Sequence, residues 1–166
     1  MELVLTSERT FSGYGTALAE ARCCLPQVAI KAVLSNSIGN GPTREFYGGC
    51  SNPRLRETLP EFMRIFRSRY SEATILVVSQ IRLAKEAFDV PMFRQREERK
   101  QFQQKTVERL RQSGDHHIHF FNGEEMLGIA YGECTVDGIH PSDLGYKRMS
   151  EALKPQLENL LHPYLK

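Results

Sequence analysis

An aspartate and a histidine stand three residues apart in the segment Asp137-Gly138-Ile139-His140. Because glycine lets the backbone fold tightly, Gly138 permits a turn that brings the Asp137 carboxylate to the near ring nitrogen of His140. The far ring nitrogen would then act as a general base. A surface turn with a capping acid would use the same residue types, so the spacing alone leaves both interpretations open.

The residues that follow this turn predict how it leads into a helix. Pro141 stiffens the exit from the turn, and the side-chain oxygen of Ser142 or Asp143 can cap the first turn of a helix. Apolar residues recur at helical spacing over residues 142–162, and we expect six of them to face the core: Leu144, Met149, Leu153, Leu157, Leu160 and Leu161. Pro155 should bend this helix or divide it.

Apolar patterns along the rest of the chain predict alternating strands and helices. Apolar runs predict strands at residues 2–5, 73–80 and 116–123. Helical periodicity predicts helices at residues 54–70 and 93–112, and at residues 16–34 with an interruption at Pro26.

The helix predicted at residues 93–112 has the strongest surface character in the chain. Its apolar stripe consists of Phe102, Val107 and Leu110. The basic residues of the segment 94–100 are balanced by Glu97 and Glu98, which is typical of a solvated helix face.

The alternation of strands and long helices favours an α/β fold with a largely parallel sheet. We expect one domain that spans residues 1–166. Ligands of such sheets bind beyond the carboxyl ends of the strands. Four loops are candidates for that edge: residues 6–15, 35–43, 48–53 and 133–140.

The composition argues against several classes of partner. The chain has 166 residues, of which 25% are charged, and its formal net charge is only +2. It therefore gives no electrostatic argument for nucleic acid or for an anionic membrane. No apolar run reaches the roughly 18 residues of a membrane span. The first residues lack a signal-peptide pattern, which predicts the cytoplasm unless the chain is part of a longer protein.

Cysteines and histidines do not form a metal-binding pattern. The four cysteines, Cys23, Cys24, Cys50 and Cys134, contain no C-x-x-C pair and are predicted to be mostly buried thiols. Three histidines cluster at residues 116–119. Because alternate residues of a strand point to opposite faces and no Asp or Cys completes the set, we predict no metal site there.

The segment "TVDGIHPSDLGYKRMSEAL" resembles the final block of the SGNH or GDSL-type hydrolases, in particular of their bacterial branch. The layout of residues 50–162 is similar to that family as well. The resemblance implies a three-layer α/β/α, flavodoxin-like fold and cleavage of small acyl esters, often acetyl groups on sugars, by a serine nucleophile. It also implies His140 as general base, Asp137 as its orienting acid, and no metal or organic cofactor.

The nucleophile is where the chain departs from the family pattern. The segment "YGTALAEARCCLP" resembles the family's Y-G-T-S-I-T motif, but Ala17 stands where the serine is expected. Alanine has no hydroxyl group and cannot attack a carbonyl carbon. Ser7, directly after the first predicted strand, and Ser12 are the alternative nucleophiles.

Two loops resemble the family's oxyanion hole, which uses backbone and asparagine donors. "SIGNG" makes Gly39 or Gly41 the expected backbone donor, with Asn40 as a second side-chain candidate. "CSNP" makes Asn52 the first candidate for the asparagine donor. Glycine and asparagine are also common in ordinary turns.

The segment between these two loops is shorter than in the family, so a strand of the sheet is expected to be missing. Two functions therefore compete. The first is a serine-type esterase or acetylhydrolase that acts on small acyl esters of the kind found on carbohydrates. The second is a non-catalytic relative that has lost its nucleophile and binds a carbohydrate or a partner.

Overall fold

The computed structural model describes the backbone of residues 30–35 and the chain from residue 52 to residue 162. Three strands and three long helices alternate: β1 (Ile30–Ser35), α1 (Asn52–Arg69), β2 (Thr74–Val78), α2 (Val90–Gln112), β3 (Ile118–Phe121) and α3 (Asp143–Leu161). Three short 3-10 helices lie between them, at Ala84–Ala87, Gly123–Leu127 and Tyr131–Cys134. The helices and strands predicted after residue 52 are confirmed in type and approximate position.

The three described strands form one parallel sheet in the order β1-β2-β3. In the register, Leu34 pairs with Val77, and Val77 pairs with Phe120. The carboxyl ends of all three strands therefore lie at the same edge of the sheet. This parallel arrangement confirms the α/β prediction for the described part of the chain.

Strand β2 is buried along its whole length. Because successive side chains of a strand point to opposite faces, Ile75 and Val77 pack on one side of the sheet, and Leu76 and Val78 pack on the other. Both faces of β2 are thus covered, which explains why its sequence is a continuous apolar run rather than an alternating one.

Two apolar clusters cover the two faces. Helices α1 and α2 supply the first cluster together with the sheet: Leu59, Met63, Phe66, Ile75, Val77, Val107 and Ile118. Helix α3 and the segments before it supply the second: Leu76, Val78, Ile81, Leu83, Met126, Leu127, Cys134 and Leu157. Helices therefore lie on both sides of β2.

One prediction about regular structure is wrong, and one of the two alternatives predicted for Pro155 does not occur. The helix predicted at residues 16–34 is a strand where the structure describes it, at Ile30–Ser35. The run is short and apolar and contains β-branched residues, and in so short a run periodicity does not separate the two states. Helix α3 is not divided by Pro155. That proline is exposed, so water can hydrate the carbonyl group that the ring leaves without a helical hydrogen bond.

The prediction of a solvated basic face on α2 is also wrong for two residues. Arg96 is 2% exposed and Arg99 is 6% exposed. The Arg96 guanidinium is compensated by the carboxylate of Glu86, which lies on the Ala84–Ala87 helix. On helix α3, Leu144 is predicted to face the core, but it is exposed.

None of the helices in the described part of the chain has the length and hydropathy of a membrane-crossing helix.

Candidate active site

The segment between Cys134 and Ser142 forms a tight hairpin. Thr135 and Pro141 form an antiparallel bridge. On either side of this bridge, the Val136 N–H donates to the His140 carbonyl oxygen at 2.9 Å, and the Ser142 N–H donates to the Cys134 carbonyl oxygen at 2.8 Å. The hairpin holds the ends of the Asp-x-x-His segment together.

The turn of this hairpin needs a glycine. Gly138 has a φ of +83°, a conformation that other residues rarely adopt. Its carbonyl oxygen accepts a hydrogen bond from the Lys85 N–H at 2.9 Å. A Cβ atom at position 138 would lie 3.3 Å from the Cβ of Lys85. The turn is therefore strained by any side chain, and it lies directly against the Ala84–Ala87 helix.

The Asp137 carboxylate contacts His140 as the sequence predicted. Its Oδ2 lies 2.6 Å from the ring Nδ1 of His140. Its Oδ1 accepts the backbone N–H groups of His140, at 2.7 Å, and of Ile139, at 2.9 Å. One oxygen thus shapes the turn while the other orients the imidazole ring.

These hydrogen bonds hold the pKa of Asp137 far below its ordinary value, with the His140 backbone N–H as the largest cause and the His140 ring next. An ionised carboxylate at Nδ1 requires the proton of a neutral imidazole to be on that nitrogen. The Nε2 atom then has the acceptor role of a general base. Both side chains are about half exposed, at 49% for Asp137 and 43% for His140, so a substrate can approach them.

Helix α3 supports the hairpin from its other side. The Ser142 Oγ accepts the Gly145 N–H at 3.3 Å and caps the helix, as predicted. Gly145 packs so closely that a Cβ atom there would collide with the Cys134 carbonyl oxygen. The Arg148 guanidinium donates to the Leu127 carbonyl oxygen at 3.0 Å. Cys134 is itself a buried thiol, as predicted.

The ends of β2 and β3 are joined by a buried serine. Ser79 is 2% exposed, and its Oγ accepts the Gly123 N–H at 2.9 Å. A side chain at Gly123 would collide with the Ser79 carbonyl oxygen. This hydroxyl group has a structural role, because it is buried and binds the backbone N–H of Gly123.

The side chain of Asn52, the candidate oxyanion donor, is directed at helix α2. Its amide donates to the Gln95 carbonyl oxygen at 3.3 Å and to the Glu98 carboxylate at 3.0 Å. Its Oδ1 accepts from the Arg99 Nε at 2.7 Å. The role of Asn52 at an oxyanion stays a prediction. The other predicted site residues, Ser7, Ser12, Ala17, Gly39, Asn40 and Gly41, lie outside the described residues.

Protein groups surround two of the histidines at residues 116–119. His117 Nε2 lies 3.0 Å from the Glu72 carboxylate. The pKa of His119 is lowered, chiefly because the side chain is partly buried. Within residues 52–162, no three His, Cys, Asp or Glu side chains are grouped to hold a metal ion.

Sequence reasoning missed the charged residues behind the hairpin. Glu86 lies on the 3-10 helix that contacts Gly138, and its side chain is buried together with that of Arg96. Their sequence positions gave no signal of burial, since Arg96 lies in a run of charged residues.

Comparison with solved structures yields two matches. One is a protein described as a GDSL-like lipase from Bacteroides ovatus, which is 25% identical and has a TM-score of 0.63; the match covers 68% of this chain and 33% of that one. The other is the salicylyl-acyltransferase SsfX3 from a tetracycline biosynthetic pathway, with 23% identity, a TM-score of 0.53, and coverage of 64% and 32%. The chain matches only about a third of the length of each structure.

No curated protein matches the sequence significantly. The model of the GDSL-like lipase/acylhydrolase family matches residues 10–158. That match includes the Asp137–His140 hairpin and nearly the whole chain, and the expected resemblance is confirmed. The chain belongs to the GDSL-like lipase/acylhydrolase family.

Proposed function

We propose that this protein is a serine-type esterase or acetylhydrolase that cleaves small acyl esters, with acetylated carbohydrates as the substrate class. The observation that carries the proposal is the contact of 2.6 Å between the Asp137 carboxylate and the His140 ring. Membership of the acylhydrolase family supports the same reaction. The complete domain would be a three-layer α/β/α, flavodoxin-like fold built around the described sheet.

In the proposed reaction, His140 Nε2 takes the proton of a serine hydroxyl as its oxygen attacks the acyl carbon. The protonated ring then gives that proton to the leaving alcohol, and an acyl-serine ester remains. Water then attacks the acyl carbon as His140 takes its proton. The protonated ring gives that proton to the serine oxygen, which releases the acid and restores the serine. Asp137 stabilises the imidazolium in both halves because its carboxylate stays ionised.

The proposed nucleophile is Ser7, with Ser12 as the second candidate. Gly39, Asn40 and Asn52 are the proposed oxyanion donors. For Asn52 this role requires its amide to leave the Gln95 carbonyl and the Glu98 carboxylate, which it contacts in the structure.

Hydrolysis of p-nitrophenyl acetate tests the role of His140. We expect kcat to fall on the order of 10⁴-fold in His140→Ala, because removal of a general base disables the nucleophile. His116→Ala is the matched control, since it removes an exposed histidine and should leave kcat unchanged. Equal turnover by the wild type and His140→Ala would contradict the proposal.

The alanine at position 17 favours a second candidate function, a non-catalytic domain that binds a carbohydrate or a partner. The variant Ala17→Ser separates the two. If the nucleophile has been lost, the wild type is inactive, and Ala17→Ser gains an esterase activity that disappears again in Ala17→Ser/His140→Ala. If Ser7 or Ser12 is the nucleophile, the wild type is active and loses that activity in Ser7→Ala or Ser12→Ala.

A further inference from the structure

The Asp137–His140 turn rests against the Ala84–Ala87 helix. The contact is directional, because the Gly138 carbonyl oxygen accepts the Lys85 N–H at 2.9 Å. It is also close, since a Cβ atom at position 138 would lie only 3.3 Å from the Cβ of Lys85. The position of this 3-10 helix therefore limits where the turn can lie.

A buried carboxylate anchors that helix from inside the protein. The side chain of Glu86 is 2% exposed. Both of its oxygens lie 2.8 Å from the Arg96 Nε, and its Oε1 accepts the N–H of Leu83, the residue before the helix, at 3.3 Å. Glu86 thus joins the start of the Ala84–Ala87 helix to helix α2.

Arg96 extends the connection to the end of β3. Its side chain is 1% exposed, and its Nη2 lies 3.5 Å from the Glu124 carboxylate. Its Nη1 lies 3.0 Å from Glu97, although this contact lacks hydrogen-bond geometry. Lys100 bridges the same two acids, at 2.8 Å from Glu97 and 2.6 Å from Glu124. Three acids and two bases thereby join three segments of the fold.

Burial of a charged pair is a poor source of stability. The cost of removing both ions from water offsets much of their attraction, and apolar residues of similar volume often serve stability equally well. Unlike apolar residues, the charged pair forms directional hydrogen bonds. The hydrogen bonds from Arg96 join the Glu86 side chain to α2, and the bond from the Leu83 N–H joins it to the start of the Ala84–Ala87 helix.

We propose that Glu86 and Arg96 are positioning residues for the Asp137–His140 pair. They act through the Ala84–Ala87 helix, which holds the turn by its Gly138 carbonyl. The role rests on the proposed function of the turn as an acid–base pair. Neither residue takes part in the reaction, and Arg96, at 2% exposure, is shielded from substrate.

The kinetic test compares Glu86→Gln with Glu124→Gln. Glutamine preserves the size of each side chain and removes its charge. Misplacement of reacting groups by about 1 Å can cost on the order of 10²-fold, so we expect kcat of Glu86→Gln on p-nitrophenyl acetate to fall about 10-fold to 100-fold, with KM unchanged. Glu124→Gln weakens the ion pairing of Arg96 but removes no contact of the Ala84–Ala87 helix, so its kcat should remain that of the wild type.

A spectroscopic test does not depend on activity. Long-range ¹H–¹⁵N spectra of histidine-labelled protein report which ring nitrogen of His140 carries the proton. We expect the His140 signals to move in Glu86→Gln and to stay in place in Glu124→Gln. Unchanged signals in both, or equal shifts in both, would overturn the positioning role. An inactive wild type would contradict the proposed function, and these signals would still decide the positioning role.

A double variant separates positioning from stability. In Glu86→Leu/Arg96→Met both charges are removed and the space stays filled, so we expect the thermal midpoint to be at or above that of the wild type. The His140 signals should nevertheless move, and kcat should stay low. A double variant with the wild-type kcat and spectrum would overturn the proposal, and this variant remains informative if Glu86→Gln does not fold.

Discussion

The two oxygens of the Asp137 carboxylate have different tasks. Oδ1 binds two backbone N–H groups and fixes the turn, whereas Oδ2 contacts the His140 ring. The ring is therefore oriented by a group that is itself held by the backbone. This explains why the carboxylate keeps its geometry although about half of it is exposed.

The variant Asp137→Asn tests this division at the residue scale. An amide nitrogen in place of Oδ2 would donate to Nδ1 and force the proton of the ring onto Nε2, which is the wrong tautomer for a base. We expect kcat to fall on the order of 10³-fold to 10⁴-fold while the protein stays folded. Asp143→Asn, which changes an exposed acid at the start of α3, is the control, and a comparable loss there would contradict the assignment.

At the scale of the element, the hairpin is held between a 3-10 helix and the start of α3. Gly138 contacts the first, and the capping Ser142 begins the second. The turn thus has its position set by two elements that are far apart in sequence. Its own conformation depends on a glycine with positive φ.

Gly138→Ala should disturb both the position of the turn and its backbone conformation. A side chain in this conformation costs about 1–2 kcal/mol, and its Cβ would press on Lys85. We expect lower stability and a lower kcat. Gly114→Ala is the matched control, since Gly114 also has a positive φ, of +102°, but has open space around it. Urea denaturation should show a lower unfolding free energy in both variants, whereas kcat should fall in Gly138→Ala only.

At the scale of the whole molecule, the two apolar clusters share strand β2. Leu76 belongs to the cluster under α3, and Ile75 belongs to the cluster under α1 and α2. Because adjacent residues of one strand belong to the two clusters, a substitution that destabilises either cluster should lower the unfolding free energy of the entire fold. The proposed single domain would then unfold in one step.

Leu76→Ala and Met63→Ala test this cooperativity, since each removes a buried side chain from a different cluster. Each should cost about 2–5 kcal/mol of unfolding free energy. Both should shift one common transition, measured by circular dichroism and tyrosine fluorescence. Ile129→Ala, at a fully exposed position, should change little. Separate transitions for the two clusters would refute a single cooperative domain.

Sequence patterns predicted the parts of this fold that depend on local periodicity. The buried run of β2 and the apolar stripe of α2 are visible in a single segment. The Asp-x-x-His turn was equally readable, because the hydrogen bonds between Asp137 and His140 are local. The burial of Arg96 was not, since it depends on Glu86 and Glu124, which approach it only after the chain has folded. The strand at Ile30–Ser35 was missed because so short an apolar run does not distinguish a strand from part of a helix.

The hydrogen bonds that define the Asp137–His140 turn connect residues two or three positions apart. Closure of so short a loop costs little chain entropy. A serine nucleophile at residue 7 or 12 would have to reach the same place across more than a hundred residues of chain. The internal geometry of the turn therefore depends on neighbouring residues, whereas its meeting with a nucleophile would depend on the fold of the whole chain.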